Sequence, residues 1–297
     1  MKQFPGWFDQ QWLSPAYPAQ TEVNLINSRL NKTSSSPLVS VVIPAWNEGA
    51  NIIKCIDSLS RSQTSYPFEI IVVDNNSTDN TAEIIKSLNV RYVFMGVQGS
   101  GAAREAGQQA ASGTYVLMGD ADTFYPPTWI QIMTEALQQP SVSCVYGRHS
   151  FFSHEKARWQ FVLYEFLRDV MQEVRHLKRP HLNVLGMSMG YLRNAGLQIG
   201  FDMRNVRGED GRMAFALAKS GKISCVRSRK ARVWTHSRTL DKEGSLIHSV
   251  LARFALELSR MLNYFSRQED HDAKTSRNEN PPILRFFSRY RKAHGKD

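Results

Sequence analysis

The sequence predicts an α/β fold, a mostly parallel sheet flanked by helices, with a C-terminal helical extension. Three observations carry this. Short β-branched apolar runs, LVSVVIPAW from Leu38, FEIIVVD from Phe68 and TYVLMGD from Thr114, read as strands buried on both faces. Between them lie stretches with apolar residues at helical spacing, such as Ile52, Ile53, Ile56 and Leu59. Acids gather where the strands end, at Glu48, Asp74, Asp120 and Asp122, and open parallel sheets bind their ligands beyond those carboxyl ends.

Taken in order, residues 1–36 carry Pro5, Pro15, Pro18 and a Ser-rich run before Pro37, so they read as an N-terminal arm. Its Trp7, Phe8, Trp12 and Tyr17 are suited to packing onto the body. The main domain spans 37–240. Its first strand is expected to stop near Ile43, ahead of Pro44. STDNTAEIIKSL reads as a helix with Ser77 or Thr78 at its N-cap, and RYVFMGV as a strand. A helix through GAAREAGQQAAS leads to TYVLMGD and completes the third strand-helix unit. After Pro126-Pro127 come a helix, TWIQIMTEALQQ, and one strand, VSCVYGRHSFF. From Lys156 to Leu177 the residues Trp159, Leu163, Phe166, Val170, Val174 and Leu177 recur at helical spacing, predicting an amphipathic helix. Residues 241–297 read as a further amphipathic helix, a polar linker over 266–282 and a basic tail.

With 297 residues, 42% hydrophobic and 22% charged, the chain is a globular protein rather than a collagen-like, coiled-coil or wholly disordered one. Lys and Arg total 37 against 27 Asp and Glu, a formal charge of +10, which favours an anionic partner. No zinc finger, helix-turn-helix signature or RNP-like motif supports nucleic acid in that role. Cys55, Cys144 and Cys225 are widely spaced, which indicates neither a disulfide framework nor a thiolate zinc site. MKQFPGWFDQQW lacks the pattern of a signal peptide, and no stretch approaches a membrane span. The expected location is cytoplasmic, peripheral on the inner face of the membrane.

Asp120-Ala121-Asp122 is the sharpest chemical feature. Two acids bracketing one residue at the mouth of a buried strand bring both carboxylates near one point, an arrangement suited to Mg2+ or Mn2+ with phosphate oxygens completing the shell. The competing reading is a solvated turn.

SVVIPAWNE, then IVVDNNSTDNT, then GSGAAREAGQQAASGTYVLMGDAD, and GED well downstream together resemble the family 2 nucleotide-sugar glycosyltransferases of GT-A fold. The resemblance covers about Val39 to Arg238. It implies an inverting transferase moving a sugar from a UDP- or GDP-sugar to a sugar or lipid-linked acceptor, in cell-surface polysaccharide or glycolipid synthesis. It also implies a divalent metal on Asp122 and Asp120, with His236 as third ligand. By the same resemblance Pro44, Ala45, Glu48 and Asp74 surround the base and ribose, and Arg104 meets the nucleotide. Asp210, with Glu209 beside it, resembles the base that takes the acceptor proton. Gly186 and Met187 lie in the segment under the acceptor. The resemblance departs at Trp46, where members often have Tyr or Phe, at Asn75, where a second Asp is common, and at Glu105, where Asn follows the Arg.

Six Lys or Arg and no acid between Lys222 and Arg238 read as a basic wall for the departing diphosphate, or as surface charge at Arg227, Arg229 and Lys230. The tail ILRFFSRYRKAHGKD interleaves aromatic and basic residues over 283–296, as a segment meeting anionic lipid does. Two rival classes stand beside the transferase. The Gly99/Gly101 loop with Asp120 has the layout of an NAD(P) oxidoreductase, although Arg104 replaces its third glycine. A catalytically inactive GT-A-like binding protein would keep the fold, against which stand Asp120, Asp122 and Asp210.

Overall fold

The computed structural model describes residues 4–14, 20–30, 36–152, 158–204 and 208–237, all within a unit spanning Met1–Lys242. The helix and basic tail expected over 241–297, and Arg238, lie outside the described residues. A 3-10 turn at Gln10–Leu13 and helix α1 (Gln20–Leu30) come first. Then follow β1 (Val39–Ala45), α2 (Gly49–Ser60), β2 (Phe68–Asp74), α3 (Thr81–Ser87), β3 (Arg91–Phe94), α4 (Ser100–Ala110) and β4 (Tyr115–Met118). Next are β5 (Thr123–Phe124), α5 (Trp129–Leu137), β6 (Val142–Gly147), β7 (His149–Phe152) and α6 (Arg158–His176). Last come β8 (Met189–Leu192), α7 (Arg193–Ile199), α8 (Glu209–Leu217), β9 (Lys222–Val226) and β10 (Val233–His236).

Seven strands form the main sheet in the order β3-β2-β1-β4-β8-β6-β9, with β8 antiparallel to both neighbours. A small second sheet has the order β5-β10-β7. The continuous apolar runs are explained by burial on both faces. Val41, Ile43 and Val72 pack with Ile52, Ile56 and Trp129 on one side. Val42, Ile71 and Val73 pack with Ala103, Met118 and Tyr146 on the other.

Four sequence expectations need correction. α3 begins only at Thr81 with Asn80 at its N-cap, because Ser77 and Thr78 are held in the preceding turn by Asp74 and Asn47, so neither caps the helix. β1 does not stop near Ile43 but runs through Pro44 to Ala45. Val42 O accepts from Gly119 N, so the two-residue step turns Pro44 N to the same side, where β4 has already ended and no ladder donor is missed. The run VSCVYGRHSFF is two strands: β6 stays in the main sheet, β7 crosses to the small one, and Arg148 separates them. Finally, the N-terminal arm contains a helix, α1, whose Ile26 and Leu30 are buried in the main core.

Of the arm's aromatics Trp7, Phe8 and Trp12 pack on the body, and Tyr17 lies outside the described residues. Phe8 and Trp12 join Phe124, Phe152 and Trp234 in a buried cluster. Trp12 Nε1 donates to Asp57 Oδ2 at 2.7 Å, and Arg29 and Arg61 donate to the same buried carboxylate. Trp12→Phe removes that donor and, the phenyl ring being smaller than the indole, part of the buried ring contacts. Stability is expected to fall by about 2 kcal/mol, measured as a lower urea midpoint at unchanged slope.

Candidate active site

Beyond the carboxyl ends of β1, β2 and β4 lies a cavity of about 490 Å³, within the size range of small-ligand sites. Pro44, Ala45, Trp46 and Glu48 form one wall, Asn75 and Gln98 to Ser100 a second, and Arg104 with Asp120 to Asp122 the floor. The sheet places them there: β1 delivers Pro44 and Ala45, the turn after β4 delivers the acids, and α4 delivers Arg104.

Glu48 lines the cavity beside α2, its Oε2 accepting from Asn51 Nδ2 at 2.7 Å. Asp74 stands apart. Its Oδ1 accepts from Ser77 N at 3.0 Å and its Oδ2 from the Tyr92 hydroxyl at 3.2 Å, and it is buried behind the wall. The wall residue is its neighbour Asn75, whose amide donates to Met95 O and Val97 O while its Oδ1 accepts from Gly99 N at 2.7 Å. Asn75 thereby pins the loop that precedes α4.

Arg104 is the centre of the site. Its Nη2 donates to Asp120 Oδ1 at 2.9 Å, its Nη1 donates to Glu209 Oε1, and Asp210 Oδ1 lies 3.1 Å from Nη1. One buried guanidinium thus joins the first acid of the DAD turn to both acids at the start of α8, far apart in sequence. It is no exposed helix residue. Burial, with the nearby Asp122 and Asp210, pushes the Asp120 carboxyl up to about 7 against the pull of Arg104. Burial also raises Asp210, opposed by Arg104 and by the Gly186 N–H. Three carboxylates share one cation here.

Gly186 explains how this packs. A Cβ at this position would stand 2.0 Å from Arg104 Nη2, and its N–H donates to Asp210 Oδ2 at 2.8 Å. Met187 follows, its carbonyl 3.3 Å from the Tyr125 hydroxyl. Gly186→Val must displace the guanidinium and with it Asp210. Any transfer rate is expected to fall at least about tenfold, and by a larger factor than nucleotide affinity measured without metal, a split read from initial rates and calorimetry.

Sequence reasoning missed Tyr125 and Ser100. The buried Tyr125 hydroxyl accepts from Asp120 N at 2.8 Å, fixing the acid turn, and Ser100 Oγ donates to Glu209 Oε1. A Tyr three residues past a DxD pair was the available signal for the first. Gly101, part of the rival dinucleotide reading, has a different use: a Cβ there would meet Asp202 O at 2.0 Å, so protein backbone covers it.

A hard divalent cation fits this donor set on the chemistry present: two acids on one turn, one of them held up by burial and by neighbouring carboxylates that a cation would offset. Among the described residues no three His, Cys, Asp or Glu side chains converge into a cage. Mg2+ and Mn2+ sites completed by water and phosphate do not need one. His236 lies at the end of β10, whose register with β5 pairs Thr235 with Thr123, so the next rung leads to His236 and Asp122. Its ring packs edge-on to Phe152, and it does not line the cavity. Among the described residues the basic run does not line the cavity: Arg227, Arg229 and Lys230 are exposed, and Arg227 pairs with Glu173 of α6.

A seven-stranded sheet with one antiparallel strand, a small accessory sheet and acids over an open cavity defines a GT-A glycosyltransferase fold. Residues 40–196, over half the chain, match the profile of glycosyl transferase family 2, and the chain belongs to that family. Glycosyltransferase AglE of Haloferax volcanii is 36% identical over 128 residues, 40% of this chain and 41% of its own. Hyaluronan synthase of Pasteurella multocida is 32% identical over 126 residues, 40% of this chain and 13% of its own. The chain thus spans less than half the length of these relatives. Among solved structures, the mannosyltransferase PcManGT of Pyrobaculum calidifontis, in complex with GDP-Man and Mn2+, superposes with a TM-score of 0.52 at 16% identity, covering 92% of this chain and 87% of that one. S. aureus TarS 1-349 gives 0.53 at 20% identity, covering 74% and 64%.

Proposed function

We propose that this protein transfers a sugar from a nucleoside-diphosphate sugar to an acceptor hydroxyl with inversion at the anomeric carbon. The observation that carries the reading is Arg104, which ties the acid turn of the cavity to Asp210. Pro44, Ala45, Trp46 and Glu48 hold the nucleoside, Asp74 shaping the wall from behind. Asp120 and Asp122, with His236 as a third donor, would hold Mn2+ or Mg2+. When bound, that ion supplies positive charge to the diphosphate. Asp210 takes the proton from the acceptor hydroxyl as its oxygen bonds to the anomeric carbon and the bond to the diphosphate breaks. Gly186 N–H and Arg104 keep its carboxylate aimed.

Crystal structures of fold neighbours hold UDP, UDP-GlcNAc, UDP-Glc or GDP-Man, which supports a UDP- or GDP-sugar donor. Relatives named as hyaluronan and chondroitin synthases support a role in polysaccharide or glycoconjugate synthesis. A lipid-linked acceptor suits the basic, aromatic tail at 283–296, which would meet the membrane surface. No helix among the described residues is long and apolar enough to cross a membrane.

Isothermal titration with UDP and with GDP, each with and without Mn2+, tests the donor and metal together. One nucleotide is expected to bind about tenfold more tightly with metal. No metal effect on either, with binding of NADH instead, would replace this reading by the oxidoreductase one. An α-linked product from an α-linked donor would contradict inversion.

A further inference from the structure

Helix α6 is inside out. Its inward face carries Glu165, Gln172 and Arg168 together with Phe161, and Glu165 and Gln172 are only 4% and 5% exposed. The Glu165 carboxylate is satisfied there by Arg158, Ser150 Oγ and Phe151 N. The outward face carries Trp159, Val162, Leu163, Phe166 and Val170, with Leu177 in the turn that follows. Trp159 and Phe166 are 62% and 63% exposed, and Leu177 82%. At 100° per residue all six fall within an arc of about 100°. A row of this kind is too long and too apolar to be scattered surface residues.

The charged groups along this flank are basic in excess. Three acids of α6, Glu165, Asp169 and Glu173, face five arginines, Arg148, Arg158, Arg168, Arg227 and Arg232. Glu173 falls within the arc itself, where Arg227 covers it with a two-pronged contact, both bonds at 2.7 Å. The exposed Arg229 and Lys230 follow Arg227 in the chain.

We propose that the apolar stripe of α6, with this basic rim, is the face by which the protein lies on a bilayer containing anionic lipid. Trp, Phe and Leu on one helix face with basic residues at its border is the composition that sits in a headgroup layer. A symmetric pairing of two copies through the same stripe would bring like-charged rims together, whereas anionic headgroups complement them. The location suits the chemistry. Asn183, in the 3-10 turn Pro180–Asn183 after α6, donates to Gln172 O at 2.8 Å, and three residues on is Gly186, which holds Asp210. A bilayer on the outward face of α6 would therefore lie one helix diameter, roughly 10 Å, from the turn that leads to Gly186. The proposal concerns residues of α6 rather than those of 283–296 and does not depend on the transfer reaction.

Co-sedimentation of the full chain with vesicles of phosphatidylcholine alone, and of phosphatidylcholine mixed with phosphatidylglycerol, tests the proposal. The full chain is expected to partition onto the mixed vesicles. Leu163→Gln with Phe166→Gln should lower that partition at least about tenfold, and Arg229→Glu with Lys230→Glu should lower it on the anionic vesicles only. The melting temperature without lipid should stay that of the wild type in both, because these side chains are exposed. The proposal is overturned if the full chain ignores anionic vesicles, or if the α6 variant binds like the wild type while Phe286→Ser with Phe287→Ser abolishes binding. It is equally overturned if the α6 variant melts several degrees lower without lipid, or if light scattering finds a wild-type dimer that the variant dissolves, since the stripe would then be covered by protein.

Discussion

Asp210→Asn is expected to lower the transfer rate by about 100-fold or more, with nucleotide affinity close to that of the wild type. An amide of the same size cannot take the acceptor proton. The surroundings make the exchange more than a loss of basicity. Both carboxylate oxygens of Asp210 face donors, Gly186 N–H on one side and Arg104 Nη1 on the other. Either orientation of the amide turns its NH2 toward one of them. A modest loss of stability, about 1 kcal/mol, should therefore accompany the kinetic effect. The two are told apart by assaying well below the variant's melting temperature, where folding is complete and only the rate is reduced. A variant that turns over at the wild-type rate would move the base elsewhere, and Glu209, held by Ser100 and Arg104, would be next to test.

The second large effect is expected at Arg104. Arg104→Met keeps much of the side-chain length and removes the only cation shared by Asp120, Glu209 and Asp210 among their described ion pairs. Removing one partner of a buried ion pair costs about 3 to 5 kcal/mol, because the other is left charged and dry. In a unit of this size that corresponds to a melting temperature lower by roughly 10 °C. Activity should vanish with it. Arg104→Lys retains the charge but not the fork, so it is expected to recover part of the stability and little of the rate. Wild-type melting of Arg104→Met would mean that the three carboxylates are served by other groups.

The strand-helix alternation was legible because burial on both faces of a parallel sheet leaves unbroken apolar runs, as in β1 and β2. Their ends were less so, since whether Pro44 stops a strand depends on where β4, seventy residues later, happens to finish. The division of VSCVYGRHSFF depended likewise on which sheet receives each half. Within the site, residue types at strand ends pointed to the acids, and the resemblance to the family put Arg104 and Asp210 among them. What the chain could not reveal on its own was partnership. That Arg104 meets Glu209 and Asp210 follows from α8 starting against α4, a contact over a hundred residues apart. Asp74 and Asn75 illustrate the finer limit: adjacent polar residues at one strand end, of which the pleat turns one behind the wall and the other into the cavity.

The Asn75 side chain closes three hydrogen bonds onto the loop at Met95, Val97 and Gly99 before any nucleotide arrives. A nucleotide-sugar of the proposed kind would therefore meet a wall already ordered and spend little of its binding energy on fixing chain there. On that reading the spent nucleotide would also leave without the loop having to unfold.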